Sequence, residues 1–190
     1  MSSKVLMAVV CSAAMTFAAE SMNISVCNID EVPSKTLARA EAVVTTIFSQ
    51  SQVAVAWSSC DGSGPGARVE LRLWRECSAD SAQRDSRHVM GMAFTAPGVT
   101  GTMADVYYGV IEQFAKEHEA DPAEVLGYVV AHEIGHLLLG PGHSAGGIMT
   151  AVWNGKTLAA GRQHWLTFTQ AQRNSIRREL RARNLAAPVF

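Results

Sequence analysis

His132-Glu133-Ile134-Gly135-His136-Leu137-Leu138-Leu139-Gly140-Pro141-Gly142-His143 is the stretch around which the chain organises itself. On a helix, His132 and His136 project from one face, a turn apart. Two imidazoles so placed can bind one zinc ion at about 2.0–2.1 Å each. Glu133 is rotated from His132 by about 100° and so lies beside such an ion rather than on it. A general base for an activated water belongs there. His143 offers a third nitrogen from the turn that follows. The fourth coordination position then stays open, as in catalytic rather than closed structural sites.

The flanking residues support a helix here. Asp121 can cap it, Pro122 suits its first position, and Glu124 completes a capping box. Val125, Leu126, Val129, Val130, Ile134, Leu137 and Leu138 give an apolar face at helical spacing. Gly140-Pro141-Gly142 ends the helix one turn past His136 and lets the chain double back. Between Ile134 and Arg178 there is no Asp or Glu, and the first downstream carboxylate is Glu179 in a basic segment. His143 is therefore the economical third ligand, with His164 the other downstream nitrogen. The plainer alternatives are an exposed loop histidine at 143 and ordinary helix histidines at 132 and 136. Burying that pair unpartnered in so apolar a helix would be costly.

These residues resemble the metzincin class of zinc metallopeptidases, whose helix and turn read HExxHxxGxxH and precede a tight turn carrying a methionine. In Ser144-Ala145-Gly146-Gly147-Ile148-Met149, Met149 matches that Met-turn methionine. The resemblance implies a Zn2+ cofactor held by His132, His136 and His143, Glu133 as general base, and hydrolysis of peptide bonds. It covers residues 121–149 closely and the rest by the order of elements. One departure is that Gly140 stands four residues after His136 and His143 seven after, one more than the family spacing. The exit from the helix must be re-aimed, which Gly140 and Gly142 permit. The family's tyrosine shortly after the Met-turn has no match in Thr150-Ala151-Val152-Trp153, and no cysteine-switch motif is present. Tyr107, Tyr108, Arg162 and His164 are alternative hydrogen-bond donors for an oxyanion.

With 190 residues, 48% hydrophobic and 17% charged, and a net charge of −1, the chain suits one globular domain. That balance gives no sign of nucleic-acid binding. Lys4, the apolar residues 5–14 and the small residues near Ala18 and Ala19 read as a secretory signal over residues 1–19. The apolar run is too short for stable membrane insertion, and Cys11 is a poor site for a lipid anchor. The expected location is secreted or periplasmic. Removal of the signal leaves Cys27, Cys60 and Cys77. The preferred pairing is Cys60 with Cys77, which flank a glycine-rich loop and a strand, leaving Cys27 as a buried thiol.

Along residues 20–190, strands are expected at 24–28, 53–57, 69–74, 89–95 and 104–108, with helices at 35–50, 110–119 and 169–183 besides the metal helix. Thr169 and Gln172 form a capping box for the last helix. This order predicts a single α+β domain: a mixed twisted sheet with a backing helix and the metal-binding helix, then a short C-terminal lower half with the Met-turn and final helix. Arg162, Arg173, Arg177, Arg178, Arg181 and Arg183 read as a solvated basic face. The expected function is zinc-dependent cleavage of a peptide or protein by water, with the substrate extended along an edge strand at residues 103–108. A catalytically idle zinc-binding module and a zinc amidase acting on a non-protein amide are the alternatives.

Overall fold

The computed structural model of the chain describes residues 19–60, 62, 64, 66–76, 89–95, 101–162 and 166–186, with the backbone alone at 159–162. The expected signal segment falls outside them apart from Ala19, as do Cys77 and His164. The elements in chain order are β1 (Glu20–Asn28), α1 (Ser34–Ser49), β2 (Val53–Ser59), β3 (Ala67–Trp74), β4 (Gly91–Ala93), β5 (Met103–Tyr107), α2 (Tyr108–Glu117), α3 (Pro122–Leu139), α4 (Gly155–Arg162) and α5 (Gln170–Ala186).

The five strands form one mixed sheet in the order β2-β1-β3-β5-β4, with β4 antiparallel to β5 and the other neighbours parallel. Burial alternates along β3, whereas β1 and β5 are buried on both faces. Met22, Ile24 and Val26 of β1, Val69, Leu71 and Leu73 of β3, and Ala104 and Val106 of β5 enter the core. Ala40, Val44, Ile47 and Phe48, one stripe of α1, join the same core. The result is the single α+β domain expected.

Two expectations are corrected. Residues 103–108 are not an edge: β5 lies inside the sheet, and the edge strand beside it is β4. Tyr108 starts α2 rather than ending a strand. The disulfide joins Cys27 to Cys60, so Cys27 is not a free thiol and Cys60 does not pair with Cys77. The parallel register explains this. Val26 stands opposite Ser59, so the next residues of both strands face each other, with Cα atoms 4.4 Å apart.

Helix α3 has apolar residues on every side, and all but its ends are buried. Asp121 Oδ1 accepts the Ala123 amide, and Pro122 opens the helix as expected. The other carboxylate oxygen of Asp121 pairs with Arg39 of α1. Among the described residues no hydrogen bond joins Glu124 to this cap, so the expected capping box is replaced by an Asp cap shared with α1. The box at α5 does form: the Thr169 amide donates to Gln172 Oε1 at 2.8 Å, and the Gln172 amide to Thr169 Oγ1 at 3.4 Å. Helix α4, between the Met149 turn and α5, was not anticipated.

Candidate metal centre

Gly140, with φ of 91°, ends α3 by adopting a conformation that few residues other than glycine tolerate. Its amide still donates to the His136 carbonyl at 2.9 Å. The chain then turns through Pro141 and Gly142 and brings His143 back over the helix, absorbing the extra residue. His132 and His136 are buried on α3, whereas His143 is exposed on the turn.

The three imidazoles converge. His136 Nε2 lies 3.1 Å from His132 Nε2 and 3.2 Å from His143 Nε2. Tetrahedral ligands at 2.0–2.1 Å from one ion sit about 3.3–3.4 Å apart, so the observed spacing fits a shared cation. Hydrogen bonding between the His132 and His136 rings does not explain their approach. His132 Nδ1 donates to the Ile148 carbonyl at 2.7 Å, and His136 Nδ1 to the Gly140 carbonyl at 3.0 Å. A carbonyl can only accept, so each neutral ring carries its proton on Nδ1 and presents a lone pair at Nε2. Two lone pairs that face each other at this distance repel unless a cation sits between them, so the arrangement suits a metal ion. The carbonyl partners also fix ring orientation, as the second shell of a metal site does. The three histidines thus lie close enough to bind one metal ion.

The electrostatics suit that role. Burial drives the His132 pKa down to about 4, with the Ile148 carbonyl opposing and the neighbouring histidines adding to the fall. Burial likewise lowers that of His136. Both rings are therefore neutral near pH 7, the form that ligates a metal. Glu133 is 7% exposed, and burial pushes its carboxyl up to about 8, opposed by a hydrogen bond from the backbone of Ala93. It packs against the edge strand: a Cβ at Gly91 would stand 2.7 Å from Glu133 Cγ. Glycine at 91 is what allows the carboxylate to approach β4 so closely.

A cleft of about 720 Å3 opens over this group, lined by the three histidines, Glu133 and strand β4. Phe114 of α2, Val129 of α3 and Trp153 supply apolar wall. The Trp153 ring meets that of His132 edge-on at 5.8 Å. Met149, 1% exposed, packs beneath α3 where Gly135 leaves room for its sulfur.

Of the residues singled out from sequence, His132, Glu133, His136, His143 and Met149 come together. Tyr107 and Tyr108 do not: both are buried and neither lines the cleft. Sequence reasoning missed the Ile148 and Gly140 carbonyls, the Ala93 contact and the Phe114–Trp153 wall. Gly91, set in a strand pattern, was a readable signal of close approach. No family model and no curated protein sequence matches the chain.

Proposed function

We propose that the chain is an exported zinc endopeptidase of the metzincin type, with His132, His136 and His143 as zinc ligands and Glu133 as general base. The observation that carries this reading is the convergence of three Nε2 atoms beside a buried carboxylate that is not itself a ligand. A metal anchor alone has no use for a base there. Three nitrogen donors with an open side suit zinc among the common ions. The metzincin assignment is supported by the Gly140 turn and by Met149 under the helix.

A bound zinc ion supplies Lewis acidity, polarising a carbonyl and acidifying water. The remaining work falls to the chain. Glu133 accepts a proton from the attacking water and passes it to the leaving amine. Its raised pKa in a dry site makes the protonated form accessible, and a cation alongside restores the carboxylate needed for the first transfer. Strand β4 is short and lies at the end of the sheet, so an extended peptide can add to it by backbone hydrogen bonds. Met92 and Phe94 stand 39% and 41% exposed along that rim. The Cys27–Cys60 disulfide supports an oxidising compartment. Among the described residues no helix is long and apolar enough to cross a membrane.

The test is a cleavage assay on a mixed peptide library, with and without chelator, comparing wild type with Glu133→Ala. Chelator-sensitive cleavage that Glu133→Ala abolishes while zinc stays bound is expected. Full activity in Glu133→Ala removes the residue from its role.

A further inference from the structure

Helix α5 is only in part the solvated basic face its sequence suggests: Arg178 and Arg181 are exposed, whereas Arg173, Arg177 and Arg183 reach backbone carbonyls. Arg173 donates to the Phe168 carbonyl at 2.8 Å, and Arg177 to that of Ser51, just past α1, at 3.3 Å. Arg183 goes furthest. Its Nη2 donates to the Leu137 carbonyl at 2.7 Å, its Nη1 to the Gly101 carbonyl at 3.0 Å, and its Nε to Glu179 at 2.8 Å. The side chain is only 13% exposed.

Neither carbonyl lines the cleft, but one belongs to the helix that carries His132 and His136 and the other stands beside Phe94, just past β4. Leu137 follows the ligand His136 in the last turn of α3, where a helix leaves carbonyls without partners of its own. Gly101 lies just before β5, and a Cβ there would collide with the Phe94 carbonyl at the end of β4 and stand 2.6 Å from Leu137 Cδ2. Edge strand, metal helix and α5 therefore meet at one tight junction, and a single guanidinium closes it. A planar fork with donors in fixed directions can serve both carbonyls at once; an ammonium cannot hold that geometry.

We infer that Arg183 is a positioning residue for the metal centre: it locks the last turn of α3 against the end of β4, setting where His136 and Glu133 stand relative to the rim of the cleft. This rests on the reading of the three histidines as a metal site. Arg183 touches no ligand ring, and it acts through the Leu137 and Gly101 backbones. A partner one shell further out than the usual ligand-orienting group should act at the lower end of the range for such groups, about tenfold in metal affinity.

The experiment uses Co2+ alone as the probe, reading its dissociation constant and visible absorption band in the full chain. Variants are Arg183→Met, Arg183→Lys and, as a charge control on the same helix, Arg178→Met, each checked for folding by circular dichroism. Arg183→Met should weaken Co2+ binding about tenfold and alter the band, Arg183→Lys should recover part of the loss, and Arg178→Met should match wild type. A folded Arg183→Met with wild-type affinity and band overturns the inference. If Arg183→Met does not fold, Arg183→Lys decides: an unchanged constant and band overturn it. Failure of wild type to bind Co2+ at all removes the metal reading itself, a different result from wild-type binding that Arg183 leaves untouched.

Discussion

Replacing Gly135 with alanine sets two effects of opposite sign against each other. In an exposed helix interior, Gly→Ala stabilises by about 1 kcal/mol through backbone entropy. At position 135 the new methyl would overlap Met149 Sδ and stand 3.0 Å from Phe168 Cε1 and 3.2 Å from Met149 Cε. Met149 and Phe168 are each 1% exposed, so neither side chain has free space to retreat into. Overpacking of this kind costs about 1–3 kcal/mol. Sterics should cancel or outweigh the entropic gain, for a net loss of up to roughly 2 kcal/mol and a fall in Tm of up to about 8 °C for a domain of this size. The displaced methionine also drags on Ile148, whose carbonyl holds His132 Nδ1, so metal affinity should fall as well. The assay is thermal unfolding of metal-free protein followed by circular dichroism, with Gly142→Ala as control. Gly142 has nothing within 4 Å of its would-be Cβ and should change stability by less than about 0.5 kcal/mol. A Gly135→Ala protein that gains about 1 kcal/mol would refute the packing of Met149 beneath the helix.

Reducing the disulfide, or replacing Cys27 and Cys60 together by serine, opens a loop with a sequence separation of 33. The chain-entropy account puts the loss near 4 kcal/mol, read as a shift in the urea midpoint; a loss under about 1 kcal/mol contradicts the pairing as a folding constraint. In metal-free protein, Glu133 has its carboxyl raised to about 8 from an ordinary 4.5, so its stability contribution is complete below 4.5 and lost as pH rises through 8. His132, lowered to about 4 from 6.5, contributes stability that is present above 6.5 and lost as pH falls through 4. Between pH 6.5 and 8 Glu133 acts without that opposition, so about 2 kcal/mol should disappear there. Urea unfolding across that window should show the decline in wild type and a flat line in Glu133→Gln; a decline that persists in the variant assigns it to another group.

The central helix and the placing of its two imidazoles on one face were legible because they depend on local rules. Asp121 and Pro122 start the helix, Gly140 stops it, and a four-residue spacing puts two rings on one face. The α5 capping box was readable for the same reason. What sequence could not supply was the pairing of distant segments. The strand at 104–108 looks like an edge until β4 is found beside it, and only the β1–β2 register brings Cys27 opposite Cys60. Arginine content alone does not distinguish a solvated face from side chains that fold back onto carbonyls, because the carbonyls of Leu137, Gly101 and Ser51 come from elsewhere in the fold. The partners that orient the imidazoles were hidden likewise: the Ile148 carbonyl meets His132 only once the turn is folded under the helix.

A titration of metal-free protein with zinc against a coloured competing chelator puts the most direct question to the three converging rings. Wild type and Glu133→Ala should each take up one equivalent with comparable affinity, and His143→Ala should lose at least an order of magnitude. Equal zinc affinity in wild type and His143→Ala, or no stoichiometric uptake by wild type, would contradict a centre built from His132, His136 and His143.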